Sequence, residues 1–416
     1  MERANRSFCS GLLGGAWLCA LLGLVSCDVP PGGGPDSGHS DDAGVYDAAC
    51  VECGGACVDV MSDPRNCGSC GKECGPAAHC MGGVCENHGV HDLSLDLPVD
   101  SSVADLASSD GGMTPRRLCD ATPPPGAKVA PPPPTYQGTC PRLVAGKNTI
   151  VSSGATRSFL LAVPTGLLPT EKLPVVFMWH WLGGSADSFY KKGEVQKAVD
   201  HQRFLAILPE AKGDILWKWP FDVFISAARQ EQEYKFFDDM LACAAEQFAV
   251  NSNCVSSVGV SAGALFTDQL ASGRNKYLAS AVSLSGGVEG VAKPWGHPPR
   301  KLPMLVLWGG PKDICAGLVN FQTASKALET QLVKDGHFLV ECVHNCGHAE
   351  PPLEVPGASS RYAAFWEFVF AHPYWLPASD SPYKTSGLPA DFPGFCGVGA
   401  GSAKIRTGAC PNPPGC

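Results

Sequence analysis

The chain has 416 residues, more than one small core needs, and its 40 acidic against 31 basic side chains give a formal net charge of −9. That balance leaves no basic footprint, which argues against nucleic acid as a partner and for a neutral substrate or none. The 21 cysteines would be hard to keep reduced in a cytosol, so an oxidising envelope or the extracellular space is expected.

Residues 1–26 read as an export signal: Arg3 and Arg6 precede an apolar stretch from Gly11 to Val25 that is short for a membrane span. Its end, Leu24-Val25-Ser26-Cys27, resembles the lipobox of bacterial lipoproteins. The resemblance implies lipidation of Cys27 and a membrane anchor there; the other reading is an ordinary cleaved signal with Cys27 incidental. Residues 27–49, rich in Gly, Asp, Ser and Pro, cannot bury enough surface to order themselves and form a tether.

Residues 50–87 carry a repeat in which Cys50, Cys53 and Cys57 recur 17 positions on as Cys67, Cys70 and Cys74, followed by Cys80 and Cys85. Eight cysteines allow 105 pairings, and the spacing does not choose among them. Cys50/Cys53 and Cys67/Cys70 also have zinc-ligand spacing, but an exported module this small favours disulfides over metal. Asp63-Pro64-Arg65-Asn66-Cys67-Gly68-Ser69-Cys70-Gly71 resembles the repeats of stigma-specific-protein-like modules, which implies a surface or binding module. Residues 88–134, acidic and Ser-rich and then proline-rich, read as a second spacer.

Over 135–416 apolar runs alternate with amphipathic stretches, the pattern of an α/β domain with a mostly parallel central sheet. Buried strands are predicted at Phe159–Val163, Val175–Trp179, Phe204–Leu208, Val255–Val260, Ala279–Leu284, Met304–Leu307 and Phe338–Val343. Helices are predicted at Phe236–Phe248, Ala262–Ser272, Phe321–Lys334 and Tyr362–Ala371, and the Gly/Pro-rich tail from Pro377, with Cys396, Cys410 and Cys416, is expected to be stapled to the surface, with Cys119 or Cys140 as candidate partners.

Gly259-Val260-Ser261-Ala262-Gly263 follows an apolar strand and opens a helix, so Ser261 stands on a sharp turn as the candidate nucleophile. A serine needs a histidine to take its proton and a carboxylate to orient that histidine; in this fold the chain order should be Ser, acid, His. Asp313, in the loop after Met304–Leu307, is the candidate acid, ahead of Glu329 and Asp335. His344 and His348 compete for the base; His348, after Gly347 and before the Pro351 turn, is favoured. The amide of Ala262 and that of Trp181 or Leu182, in the loop His180–Ser185, are candidates for an oxyanion hole, with His180 bracing that loop. Trp217 and Trp219 fit either a substrate cleft or packing caps. Cys315 with Cys342 or Cys346 is a possible tie between the acid and base loops.

His180–Gly184, Gly259–Gly263, Gly310–Asp313 and Gly347-His348 together resemble secreted polyhydroxybutyrate depolymerases and feruloyl esterases over roughly 135–373. The resemblance implies an α/β-hydrolase fold and metal-free, cofactor-free hydrolysis of carboxylic esters, polymeric ones among the candidates. Trp181, where the family has a small residue, and the Pro311-Lys312 pair before the acid depart from it. A peptidase or lipase with a lid has little room in the 52 positions (313 − 261) between nucleophile and acid. A rival from another class is a surface-binding lipoprotein with an inactive hydrolase domain.

Overall fold

The computed structural model describes residues 51–54, 56–58, 60, 63–75, 78–81, 84–87, 117–358 and 360–415. The export signal, Cys27 and the tether lie outside the described residues. Two compact units divide the chain, 1–106 and 107–416.

In the first unit, β1 (Val51–Cys53) pairs antiparallel with β2 (Ala56–Val58), and β3 (Ala78–Met81) with β4 (Val84–Asn87). Disulfides Cys53–Cys70, Cys67–Cys80 and Cys74–Cys85 hold it. The first joins equivalent positions of the two repeat copies. Sulfurs of Cys67, Cys74 and Cys85 lie within 4.8 Å of one another, but all three cysteines are disulfide-bonded, so none is a thiolate ready for a metal.

The second unit is built on a nine-stranded sheet. In chain order it runs β5 (Gly146–Ser152), β6 (Ala155–Ala162), β7 (Leu173–Trp179), α1 (Ala186–Lys192), α2 (Val195–Gln202), β8 (Leu205–Pro209), α3 (Ala227–Gln247) and β9 (Val250–Val260). It continues α4 (Ala262–Gly273), β10 (Ser280–Leu284), β11 (Met304–Trp308), the short β12 (Ile314–Cys315) and β13 (Val319–Asn320), α5 (Phe321–Asp335), β14 (Leu339–Val343), α6 (Ala363–Phe370), α7 (Tyr383–Ser386) and β15 (Cys396–Val398). The sheet order is β15-β14-β11-β10-β9-β7-β8-β6-β5, parallel from β14 to β8 and antiparallel at both edges.

Central strands are apolar along their whole length because both faces of the sheet are covered. Along β7, Val175, Phe177 and Trp179 join a core with side chains of α3, α4 and α5, while Val176 and Met178 join one with α1, α2 and α6, following the two-residue alternation of a strand. All seven predicted strands are present within a few residues. The edge strand β5 escaped prediction because only Asn148, Ile150 and Ser152 of it face inward, which is no apolar run. Helix α3 starts nine residues earlier than predicted (236 − 227), capped by the Ser226 hydroxyl, which accepts from the Arg229 amide. Its first turns are charged and carry no apolar signal.

Cys119 pairs with Cys254 and Cys140 with Cys243, so these are not partners of the tail cysteines. Closing 135 and 103 positions, each bond removes on the order of 4–5 kcal/mol of unfolded-chain entropy. From Arg117 the proline-rich segment lies on this unit: the Arg117 guanidinium sits 4.2 Å above the Phe370 ring, and the Ala130 amide donates to Asn253 Oδ1 at 2.8 Å. The tail is stapled by Cys342–Cys396 and Cys346–Cys410, so the expected tie of Cys315 to Cys342 or Cys346 does not form. Cys315 is itself disulfide-bonded.

Candidate active site

Strand β9 and helix α4 meet at Ser261, whose backbone sits at φ 56°, ψ −118°, a strained conformation for a residue with a side chain. The turn exists because two glycines let backbones meet. A Cβ on Gly263 would stand 2.0 Å from the Trp179 carbonyl oxygen, and one on Gly259 2.2 Å from that of Gly263. The same closeness sets the start of α4 against the end of β7.

Asp313 follows β11 on a short 3₁₀ turn and is fully buried. Its Oδ2 accepts from the Gly309 amide at 2.7 Å and from the Ser285 hydroxyl at 2.8 Å, leaving Oδ1 for His348 Nδ1 at 2.6 Å. His348 Nε2 in turn lies 2.9 Å from Ser261 Oγ. The structure thus brings Ser261, His348 and Asp313 into one hydrogen-bonded chain. The Asp313 and His348 loops clasp through glycines as well: the Gly347 amide donates to the Gly309 carbonyl at 2.8 Å, and a Cβ on Gly309 would stand 1.8 Å from that of Gly347. The tail supports the His348 loop through Cys346–Cys410 and the Gly415 amide, which donates to the His348 carbonyl at 2.6 Å.

None of the competing candidates joins this hydrogen-bonded chain. His344 is buried with neither ring nitrogen hydrogen-bonded, and burial pushes it down to about 4, so it is neutral at ordinary pH. Burial, with Glu341 adding to it, pushes Glu329 up to about 8, while Asp335 accepts from Trp295 Nε1 and lies 3.0 Å from His297 Nδ1.

His180 is buried, with Nδ1 2.8 Å from the Trp181 carbonyl and Nε2 3.4 Å from Glu210 Oε1. Glu210 Oε2 accepts from the Ala186 amide at 2.9 Å, opening α1. Burial raises the Glu210 carboxyl, but His180 and that amide outweigh it and hold the group below its ordinary value. His180 braces its loop. The Trp181 carbonyl also accepts from Gly184, and the His180 carbonyl from Trp219 Nε1. Because a trans peptide points its N–H opposite its carbonyl, these bonds fix the directions of the Leu182 and Trp181 amides. Ala262, first residue of α4, has an amide with no carbonyl a turn behind it in the helix.

Trp219 is fully buried, its ring 5.0 Å from Trp179 and 5.8 Å from Phe266, so the substrate-cleft reading is corrected for it: the indole offers no surface. Half-buried Trp217 packs near Phe221. The Trp181 indole turns onto α1, near Phe189 and under Lys192.

Ser285, Glu210 and Phe321 were missed by sequence reasoning. Phe321 stacks on the His348 ring at 4.5 Å and 12°. Only Ser285 carried a signal, since it opens Ser285-Gly286-Gly287 just past a strand.

Residues 36–88 match the model of the Stigma-specific STIG1-like protein family, the resemblance carried by the cysteine repeat. Among solved structures, the second unit is similar to native pOPH, with 15% identity, TM-score 0.51, and 65% of this chain and 99% of that one covered. It is also similar to native sOPH (16%, TM-score 0.49, 65% and 99%) and to a CE1 ferulic acid esterase from Anaeromyces mucronatus in complex with ferulic acid (15%, TM-score 0.41, 56% and 92%). None of the curated proteins matches the chain in sequence. With the sheet order above, the pOPH likeness shows an α/β-hydrolase fold.

Proposed function

We propose that this chain is an extracytoplasmic serine esterase, with Ser261 as nucleophile, His348 as base and Asp313 as the orienting acid. The reading rests on the hydrogen-bonded chain from Ser261 Oγ through His348 to Asp313. Ser261 Oγ adds to the ester carbonyl carbon as its proton passes to His348 Nε2. The oxyanion is held by the amides of Ala262 and of Trp181 or Leu182. The carbon–alkoxide bond then breaks, and His348 returns the proton to the departing alcohol. Water attacks the acyl-serine with His348 again taking a proton; the carbon–Oγ bond breaks and Ser261 regains its hydrogen.

No residue of this scheme calls for a metal or organic cofactor. Candidate substrates are polyhydroxyalkanoates and feruloyl or acetyl esters of polysaccharides, with half-buried Trp217 a candidate wall of the acyl or alcohol site. The disulfides of both units suit export, and no helix among the described residues is long and apolar enough to cross a membrane. A lipid on Cys27 would hold the enzyme to the envelope, and without it the enzyme would be extracellular. The test is a substrate panel: the purified chain is expected to hydrolyse short-chain p-nitrophenyl esters and to differ in rate between methyl ferulate and hydroxybutyrate oligomers. A folded chain that cleaves none of these contradicts the proposal.

A further inference from the structure

Both nitrogens of the His348 ring are engaged, Nδ1 by Asp313 and Nε2 by Ser261, which leaves its faces for packing. Phe321 covers one of them, with centroids 4.5 Å apart and the planes 12° from parallel. That aromatic ring is placed by the acid's own segment. After Asp313, β12 and β13 form a small antiparallel ladder pairing Ile314 with Asn320 and Cys315 with Val319. The ladder returns the chain so that the Phe321 amide donates to the Asp313 carbonyl at 2.9 Å. Asn320 caps α5 by accepting from the Thr323 amide, fixing the helix on which Phe321 is the first residue. Phe321 is 2% exposed, so the stack is shielded from water.

We infer that Phe321 is a positioning residue of the proposed esterase reaction, its ring fixing the His348 plane and stabilising the imidazolium that forms as Ser261 attacks. The inference rests on the esterase reading above. A cation gains electrostatically from the negative face of an aromatic ring, and more so where water is excluded; a neutral imidazole gains only dispersion. The stack therefore favours the charged ring twice. In the free enzyme it moves the acid limb of the kcat/KM profile to higher pH, because kcat/KM needs the unprotonated base. In the transition state it lowers the barrier. Charged or titratable groups at or beside this loop include Asp313, His344 and Arg406, Lys312, whose backbone packs on Gly347, and Glu350, and all remain when Phe321 alone is changed.

The test is the pH profile of kcat/KM on a p-nitrophenyl ester for the wild-type chain, Phe321→Leu and Phe321→Tyr, with Phe321→Met as a second apolar variant should the leucine form not fold. Loss of the ring is expected to move the acid limb down by about half to one pH unit and to lower the plateau roughly three- to tenfold. Phe321→Tyr should keep both close to wild type. A plateau that falls in the apolar variants with the acid limb unmoved would mean that Phe321 only fills space, and overturns the inference. A folded wild type without activity would instead remove the esterase reading.

Discussion

Ser261→Ala should lower kcat on p-nitrophenyl esters by about a million-fold, to the level that binding and oxyanion contacts alone sustain. The hydroxyl is the atom 2.9 Å from His348 Nε2, and alanine has nothing to put in its place. Little of the fold depends on it. Ser261 holds its position through backbone, its amide donating to the Leu284 carbonyl at 2.8 Å and its carbonyl accepting from Ala264 and Leu265. The urea midpoint should therefore stay close to wild type while activity disappears. Kinetics and denaturation on the same preparation check both halves, and a variant retaining a tenth of wild-type activity would rule out Ser261 as nucleophile.

Asp313→Asn is expected to lower kcat by about ten-thousand-fold with the chain still folded. The reasoning is a count of protons. Asp313 accepts from Gly309, from Ser285 and from His348 Nδ1, a site built for an acceptor without hydrogens of its own. An asparagine brings an N–H₂. If its oxygen stays with Gly309 and Ser285, the amide hydrogens meet Nδ1, and the imidazole must carry its proton on Nε2, facing Ser261 Oγ. That tautomer cannot accept the serine proton. The loss should fall on kcat with KM little changed, since no substrate contact is altered. A drop of less than tenfold would show that another group orients His348.

Much of this site could be read in the sequence because its groups sit where strands end. Ser261, Asp313 and His348 each follow an apolar run, β9, β11 and β14, and the turn chemistry of Gly259, Gly263 and Gly347 marks the intervening loops. Proton transfer and orientation require those residue types, and the α/β-hydrolase fold sets them in that chain order. What escaped were groups that no motif marks and whose role shows only when the fold brings them to a distant partner. Ser285 and Asp313 are 28 positions apart, and Glu210 and His180 are 30 apart (210 − 180). Phe321 reads as an ordinary apolar residue at a helix start until the β12–β13 turn swings it over His348.

The same limit governed the disulfides. Cys119 and Cys254 are 135 positions apart, and neither neighbourhood announces the other; the proline-rich stretch before Thr135 reads as a spacer, yet its Arg117 end is tied to the α/β unit. Trp219 was ambiguous for a related reason. An indole after a strand is read as exposed or buried only when its partners, here Trp179, Phe266 and the His180 carbonyl, are seen around it.

The central claim is that Ser261 Oγ is a nucleophile activated by His348. The most direct measurement treats the purified chain with a p-nitrophenyl alkylphosphonate ester and maps the adduct by peptide mass spectrometry. Attack forms an Oγ–phosphorus bond and expels p-nitrophenol. One adduct per chain on the peptide bearing Ser261, and none in His348→Ala, is the predicted result; a folded wild-type chain that takes no label, or takes it at another residue, would contradict it.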